Sequence, residues 1–405
     1  MVLTANRYGF LDGLRVLDLA DEKGDFCTKL LADMGARVIK VEKPGGDASR
    51  NRGPFFKDTS RSKNSIPFFY NNTNKLGITL NLEHNEGKSL FSKLVPNTDV
   101  IVETFAPGAL KRMGLNFETL CSLNPKLIWA SVTGFGQNGP RRNFKVSDLV
   151  ASAYGGQMYV CGSPSAPPLK SFGGQSYYAV SLFAAIAILL ALRNRAKTGT
   201  GEHLDISLQA SVTATLEHVM VRYFAEGLIF QIQESLHWNE GFVFLPCKDG
   251  FIQVTLFQKW ETLIEWLATE GLAADLTDEK WLDEGYRRQH LGHVIAVLQK
   301  WTTAHTIKEI FETAQLMRFP WTPIQSPNEV CDSPQLKARK FFIERKDTGY
   351  GKTVYDPGSP YKTSSKFESR THPAPMPGEH NELIYQQELG LSEENLKRLY
   401  DRNVI

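Results

Sequence analysis

The feature that most constrains this chain is an alternation that begins at its first apolar residues. Residues 15–19 (RVLDL) read as a strand. Residues 26–34 carry apolar side chains at helical spacing until Gly35 stops them, and residues 38–41 (VIKV) read as a second strand. Strand, helix and strand within about 30 residues make a βαβ unit, which forces the two strands to run parallel. The pattern recurs, with a helix over 87–94, a strand over 100–103, a helix over 117–122 and a strand over 127–131. Such repetition predicts an α/β chain with a doubly wound, Rossmann-like parallel sheet. No GxGxxG follows the first strand, so nothing supports a dinucleotide site. Ligands of these folds sit beyond the carboxyl ends of the strands. The segments to read for function are therefore 20–25 (ADEKGD), 42–47 (EKPGGD) with Arg50 beyond, 104–108 (TFAPG) and 134–142 (GFGQNGPRR).

The rest of the composition sets limits. With 405 residues, 42% hydrophobic and 22% charged, the chain has ample core for two or three domains. A net charge of +2 leaves no nucleic-acid footprint, although local Lys/Arg pairs suit a compact polyanion. The cysteines, Cys27, Cys121, Cys161, Cys247 and Cys331, form no CxxC and pair with no histidine at zinc spacing. They read as reduced, small apolar residues of a cytoplasmic protein, with no metal site. The start, MVLTANRYGFLDG, shows no secretory signal. The apolar run 180–192, ended by Arg193-Asn194-Arg195, is too short to span a bilayer, so no membrane association is expected. From about 224 to 322 the character changes, with Trp238, Trp260, Trp266, Trp281, Trp301 and Trp321 and amphipathic stretches such as 260–267 and 294–302. This predicts a smaller α-rich domain, whose tryptophans at helical spacing are core before they are clamps. Two β stretches and a helix near 392–402 follow, with Ser392 as N-cap and Glu394 in the first turn. The expected divisions are a large domain over 1–223, a small domain over 224–326 and a C-terminal segment over 327–405.

Residues 167–208 hold the chain's central signal. A glycine pair, Gly173 and Gly174, precedes the apolar run; then come the turn Lys197-Thr198-Gly199-Thr200-Gly201 and a strand over 203–208. With the blocks LLADMGARVIKVEKPGGD, NNTNKLGITLNL, DVIVETFAPGALKRMGL, NPKLIWASVTGFGQNGP and SDLVASAYGGQM before it, this stretch resembles the family III CoA-transferases of the CaiB/BaiF type. FLPCKDGFIQV, SPQLKARKFF and HPAPMPGEHNELIYQQELGL resemble the family's later blocks, so the likeness covers nearly the whole chain. The resemblance implies that the C-terminal segment returns to the large domain and that two ring-like chains interlock as a dimer.

It also implies a chemistry. In the family a carboxylate attacks an acyl-CoA thioester, forms a mixed anhydride, receives CoA as an enzyme thioester, and runs the sequence in reverse with an acceptor acid. The carboxylate is an aspartate on the glycine loop, and here Tyr177 occupies its place. A phenol, with a pKa near 10, is little ionised at neutral pH. Tyr177 therefore reads as a packing or pocket-lining residue, with nucleophile the lesser alternative. Asp148 and Asp205 read as structural partners, Glu202 as solvated, and Glu379-His380 as an oriented structural pair. The related racemases use a histidine and the loop aspartate where this chain has Ser147 and Tyr177, so that reaction fits poorly. By resemblance, Lys43, Lys75, Phe105, Arg112 and Lys145 match positions that contact CoA, with solvated surface charge as the plain reading of each cation. Gly134-Phe135-Gly136 reads as a βα turn before a phosphate loop. Two departures stand out. The first loop is short and carries Asp21, Glu22 and Asp25, which would repel phosphate, and Thr104 replaces an asparagine. Three readings are open. The chain is a subunit of a heteromeric CoA-transferase whose paralogous partner holds the aspartate, resembling the two-subunit type that moves CoA between succinate and benzylsuccinate in aromatic degradation. Or it is self-sufficient through another nucleophile. Or it binds CoA without turnover.

Overall fold

A computed structural model describes residues 9–56, 65–230, 232, 241–346, 353–365, 367 and 372–405; Trp238 lies outside the described residues. Six parallel strands form its main sheet: β1 (Arg15–Leu19), β2 (Arg37–Glu42), β3 (Leu76–Thr79), β4 (Val100–Glu103), β5 (Ile128–Thr133) and β6 (Glu202–Ser207). Their spatial order, β3-β2-β1-β4-β5-β6, is that of a doubly wound sheet whose direction of winding reverses between β1 and β4. Alternate residues serve opposite faces. Leu17, Ile39, Ile101 and Trp129 enter one core, while Val16, Val38, Val100 and Ile128 enter the other. Both faces are covered, which is why the strands read as apolar runs and not as half-polar ones.

The helices of this unit are α1 (Asp25–Asp33), α2 (Ile66–Asn71), α3 (Asn85–Leu94), α4 (Ala109–Arg112), α5 (Phe117–Leu123), α6 (Asp148–Tyr154), α7 (Gln175–Thr198), α8 (Leu208–Ala214) and α9 (Glu217–Glu226). At 24 residues, α7 corrects the sequence expectation of a short apolar run. By length and composition it could cross a membrane. Arg193 and Arg195 do not end it, because arginine is a good helix former. It stops at Gly199, whose φ of 75° suits the left-handed cap and whose N–H bonds the Arg195 carbonyl at 2.8 Å. Val180, Ala184, Ile188 and Ala191 bury one stripe of α7 beside α1 and the sheet, while Leu182, Phe183, Ile186 and Leu190 are exposed.

β3 was not placed by the sequence reading. Its edge is paired by a segment from the far end of the chain. The Gly77 N–H donates to His380 Nδ1 (3.1 Å) and the Thr79 N–H to Asn381 Oδ1 (2.9 Å). The Tyr385 hydroxyl donates to the Thr79 carbonyl (2.8 Å) and the Asn81 N–H to the Val404 carbonyl (2.8 Å). Gly77 leaves room for Pro375, whose Cβ would stand 2.8 Å from any Cβ added there. The cover includes α16 (Glu393–Asp401), where Ser392 accepts from the Asn395 N–H at 3.3 Å as the expected N-cap.

The chain divides into two compact units, the larger built from 1–158, 170–228 and 340–405 and the smaller from 159–169 and 229–339. Residues 327–339 thus pack with the smaller unit, and the hairpin of β10 (Phe342–Arg345) and β11 (Val354–Pro357) with the larger. The smaller unit holds the helices α10 (Trp260–Thr269), α11 (Glu284–Gln289), α12 (Leu291–Thr303), α13 (Ile307–Leu316), α14 (Pro327–Asp332) and α15 (Pro334–Ala338). It also holds an antiparallel sheet that the α-rich expectation did not include, of β7 (Phe242–Cys247), β8 (Gly250–Thr255) and β9 (Thr322–Pro323). Trp301 and Trp321 are buried in its core, and Trp266 meets Trp301 edge-on at 4.6 Å. Glu270 accepts from both the Trp266 (3.0 Å) and Trp301 (2.7 Å) indoles, which fixes these rings as structure.

Candidate functional site

Doubly wound sheets take ligands where the winding reverses, which here falls between β1 and β4. The loops after those two strands are clasped by the Asp21 N–H donating to Thr104 Oγ1 at 2.9 Å. Gly24 is required by the closeness of this packing, since an added Cβ would stand 2.8 Å from Ala20 Cβ and 3.1 Å from Thr104 Cγ2. The threonine that departs from the family pattern therefore ties these two loops together.

Beneath the first loop lies a buried ion cluster. Lys75 Nζ donates to Asp18 Oδ2 (2.9 Å), Thr28 Oγ1 (2.7 Å), Asn72 Oδ1 (2.7 Å) and the Asp25 carbonyl (3.0 Å). Lys40 Nζ donates to Asp25 Oδ1 (2.6 Å) and the Ala20 carbonyl (2.6 Å). Two cations balance two carboxylates, all four side chains at most 2% exposed. Burial works against the Asp18 carboxylate, yet Lys40 and Lys75 together hold its pKa below the ordinary value, while burial wins at Asp25 and raises it. Burial likewise lowers Lys75, and Lys40 is raised because its acidic neighbours outweigh burial. Two sequence expectations change here. Asp25 faces the interior and is neutralised, so it repels nothing beyond the loop, and Lys75 offers its ammonium to the core and not outward.

The other expected CoA contacts fall on the carboxyl side of the sheet. Lys43 is exposed just after β2, and Lys145 is exposed in the loop after β5. Phe105 is half-buried after β4, its N–H donating to Glu103 Oε2 at 2.7 Å. Arg112 is exposed in α4, which Gly108, at φ 74°, launches. Among the described residues none of Lys43, Arg112 and Lys145 makes an ion pair. Phe105 lines a pocket of about 150 Å³ with Leu110, Phe117, Trp129, Ser131 and His203. On its floor Ser131 Oγ accepts from the Trp129 indole (3.0 Å) and meets His203 Nε2 at 2.9 Å, and Ser131 also bonds the Glu103 side chain. Burial raises the Glu103 carboxyl and lowers the His203 imidazole. The sequence reading missed this chain of three. Its members alternate along neighbouring strands, a relation visible only once β4, β5 and β6 are in register.

Tyr177 sits in the first turn of α7. Its hydroxyl accepts from the Asp148 N–H at 3.0 Å. Asp148 takes the Ser176 N–H on Oδ1 (2.9 Å) and Lys170 on Oδ2 (2.6 Å), a structural role as expected. Lys170 also donates to the Ser171 and Gly173 carbonyls and so pins the glycine loop. Burial, then the nearby Glu22, raise the Tyr177 phenol against the pull of Arg52 and the Asp148 amide. Arg52, which the sequence reading passed over, lowers the Tyr177 phenol by its charge and pairs with Glu22 through Nη2–Oε1 at 2.7 Å. Burial and Asp21 raise the Glu22 carboxyl. Asp205 also has the structural role expected of it, both its carboxylate oxygens accepting from the Gln137 N–H of the Gly136 turn (3.0 and 2.9 Å). His380, with Glu379 accepting from the Met376 N–H (2.7 Å), belongs to the cover of β3.

These residues build a doubly wound sheet with a glycine loop feeding the long helix α7 and with the loops at its reversal point clasped together. The chain belongs to CoA-transferase family III, which it matches over residues 11–381. It is 30% identical over 91% of its length to the succinyl-CoA:(R)-benzylsuccinate CoA-transferase subunit BbsE of Thauera aromatica, 92% of which is covered. It is 31% identical over 98% to the succinyl-CoA–L-malate CoA-transferase beta subunit of Chloroflexus aurantiacus, 98% of which is covered. The crystal structure of a CaiB/BaiF family protein from Brucella suis superposes with a TM-score of 0.84 at 28% identity, covering 94% of this chain and all of that one. The chain is thus a family III CoA-transferase, acting on CoA thioesters of carboxylic acids.

Proposed function

We propose that this chain is the subunit without the nucleophile in a heteromeric CoA-transferase, and that a paralogous, interlocked partner carries the aspartate. The observation that carries the reading is the state of Tyr177. Its phenol is partly buried and stands near the Glu22 carboxylate, and these raise its pKa against the pull of Arg52 and the Asp148 amide, which opposes the anion that attack requires. Two relatives whose names call them subunits support the heteromer, and both names carry succinyl-CoA as donor. The acceptor we propose is an aromatic succinate such as benzylsuccinate. The larger unit is the CoA-binding one. There Lys43, Arg112 and Lys145 supply cations for the phosphates and Phe105 an apolar face, while Lys75 supports the first loop from below.

The test is CoA exchange between succinyl-CoA and benzylsuccinate by the purified chain, alone and with its paralogous partner. Exchange is expected only with the partner present, and Tyr177→Phe is expected to keep that rate within about fivefold, since the one hydrogen bond lost is worth only about 1 kcal/mol. Full exchange by the chain alone, or an acyl or thioester adduct trapped on it, overturns the reading.

A further inference from the structure

Arg52 and Glu22 have no part in the function as described, yet they stand beside Tyr177. We infer that Arg52 is a receptor for the free carboxylate of a small carboxylic acid, and that Glu22 fills it as an internal stand-in until the acid arrives. The inference rests on the reading of Tyr177 as unreactive, which makes this a place for holding an acid and not for acylating a side chain.

The contrast with a nearby arginine carries the argument. Arg50 spends Nε (2.7 Å) and Nη2 (2.6 Å) on Glu42, gives Nη2 also to the Pro375 carbonyl (2.8 Å), and lies over the Phe68 ring at 4.0 Å. Only 8% of its side chain is exposed. Arg52 reaches Glu22 through Nη2 with 55% of its side chain exposed. A guanidinium has five donors in a planar fork matched to a carboxylate, so Arg52 keeps donors for a second one. Glu22 is held the other way. Its side chain is only 18% exposed, and its loop is fixed by the Asp21–Thr104 bond and by the tight packing at Gly24. The arginine can turn outward; the glutamate cannot follow. Tyr177, whose phenol Arg52 pulls down electrostatically, borders the place the incoming group would take.

When Arg52 turns to a ligand, Glu22 is left beside Asp21 without its counter-charge. Burial and Asp21 already favour its protonated form. The exchange therefore balances as one carboxylate bound and one proton taken up by Glu22, with no bond made or broken. A small acid is favoured because succinate, the acid whose thioester both relatives' names carry, is one such ligand.

Isothermal titration of succinate into the full-length chain, alone and with the partner, tests this. Wild type is expected to bind with proton uptake, read as a heat that changes with the buffer's ionisation enthalpy. Arg52→Gln is expected to weaken binding about tenfold or more, the loss of one charge-assisted pair. Glu22→Gln is expected to tighten it and abolish the uptake, and Arg52→Lys, which keeps the charge without the fork, is expected to fall between wild type and Arg52→Gln. A merely structural ion pair predicts the same direction for both Gln variants, and that result overturns the inference, as does an absence of succinate binding to wild type. Trapping of an adduct on this chain is a separate measurement, so the failure of the unreactive-tyrosine reading is told apart from the failure of the acid site.

Discussion

Asp18 is buried against two cations, Lys40 and Lys75. Removing one partner of a buried ion cluster leaves the other charge uncompensated, so Asp18→Asn is expected to cost about 3–5 kcal/mol, read as a lower urea midpoint at unchanged slope. Glu22 has the opposite sign. A carboxyl whose folded pKa is raised favours the fold while it is protonated, and that contribution is lost as pH rises through the raised value. Glu22→Gln is therefore expected to melt higher than wild type at pH 7, with the gap closing as the pH falls below 4.5, the ordinary value. Thermal melts across that range measure it. At this scale the sequence was least legible. Lys75 looked like a phosphate ligand because nothing in the string says that its ammonium points inward, toward Asp18 some 57 residues away. Arg52 and Glu22 were invisible as a pair for the same reason, whereas the phenol at 177 was legible because the glycine loop and helix frame it.

The elements were easier to read, where periodicity was strong. β1 and β4 fall at their expected bounds because apolar runs between helical patterns are hard to mistake. β3 was lost because it has four residues with a glycine second, a composition that weakens a strand. It persists because Asn381 and Tyr385 complete its edge, a pairing no local rule anticipates. Asn381→Ala would leave the buried Thr79 N–H without its acceptor, at a cost of about 1–3 kcal/mol. Hydrogen exchange should show faster amides at 76–79, with those of β1 unchanged. α7 runs past Arg193 and Arg195 to Gly199 because a charge at the end of an apolar run does not stop a helix and a left-handed glycine does.

For the whole molecule, two compact units predict two transitions. Of the described tryptophans, Trp260, Trp266, Trp281, Trp301 and Trp321 lie in the smaller unit and Trp129 in the larger. Tryptophan fluorescence during urea unfolding is therefore expected to follow mainly the smaller unit, while far-ultraviolet circular dichroism follows both, and the two curves should not coincide. The doubly wound class was legible from alternation alone; the division was less so, because the string does not mark where the chain leaves one core for the other. The cover of β3 has a consequence for synthesis. Thr79 and Asn381 stand 302 residues apart. A ribosome therefore exposes an unfinished, apolar parallel edge while those 302 residues are made, and chaperone capture of nascent chains should persist until residues 381–404 have left the exit tunnel.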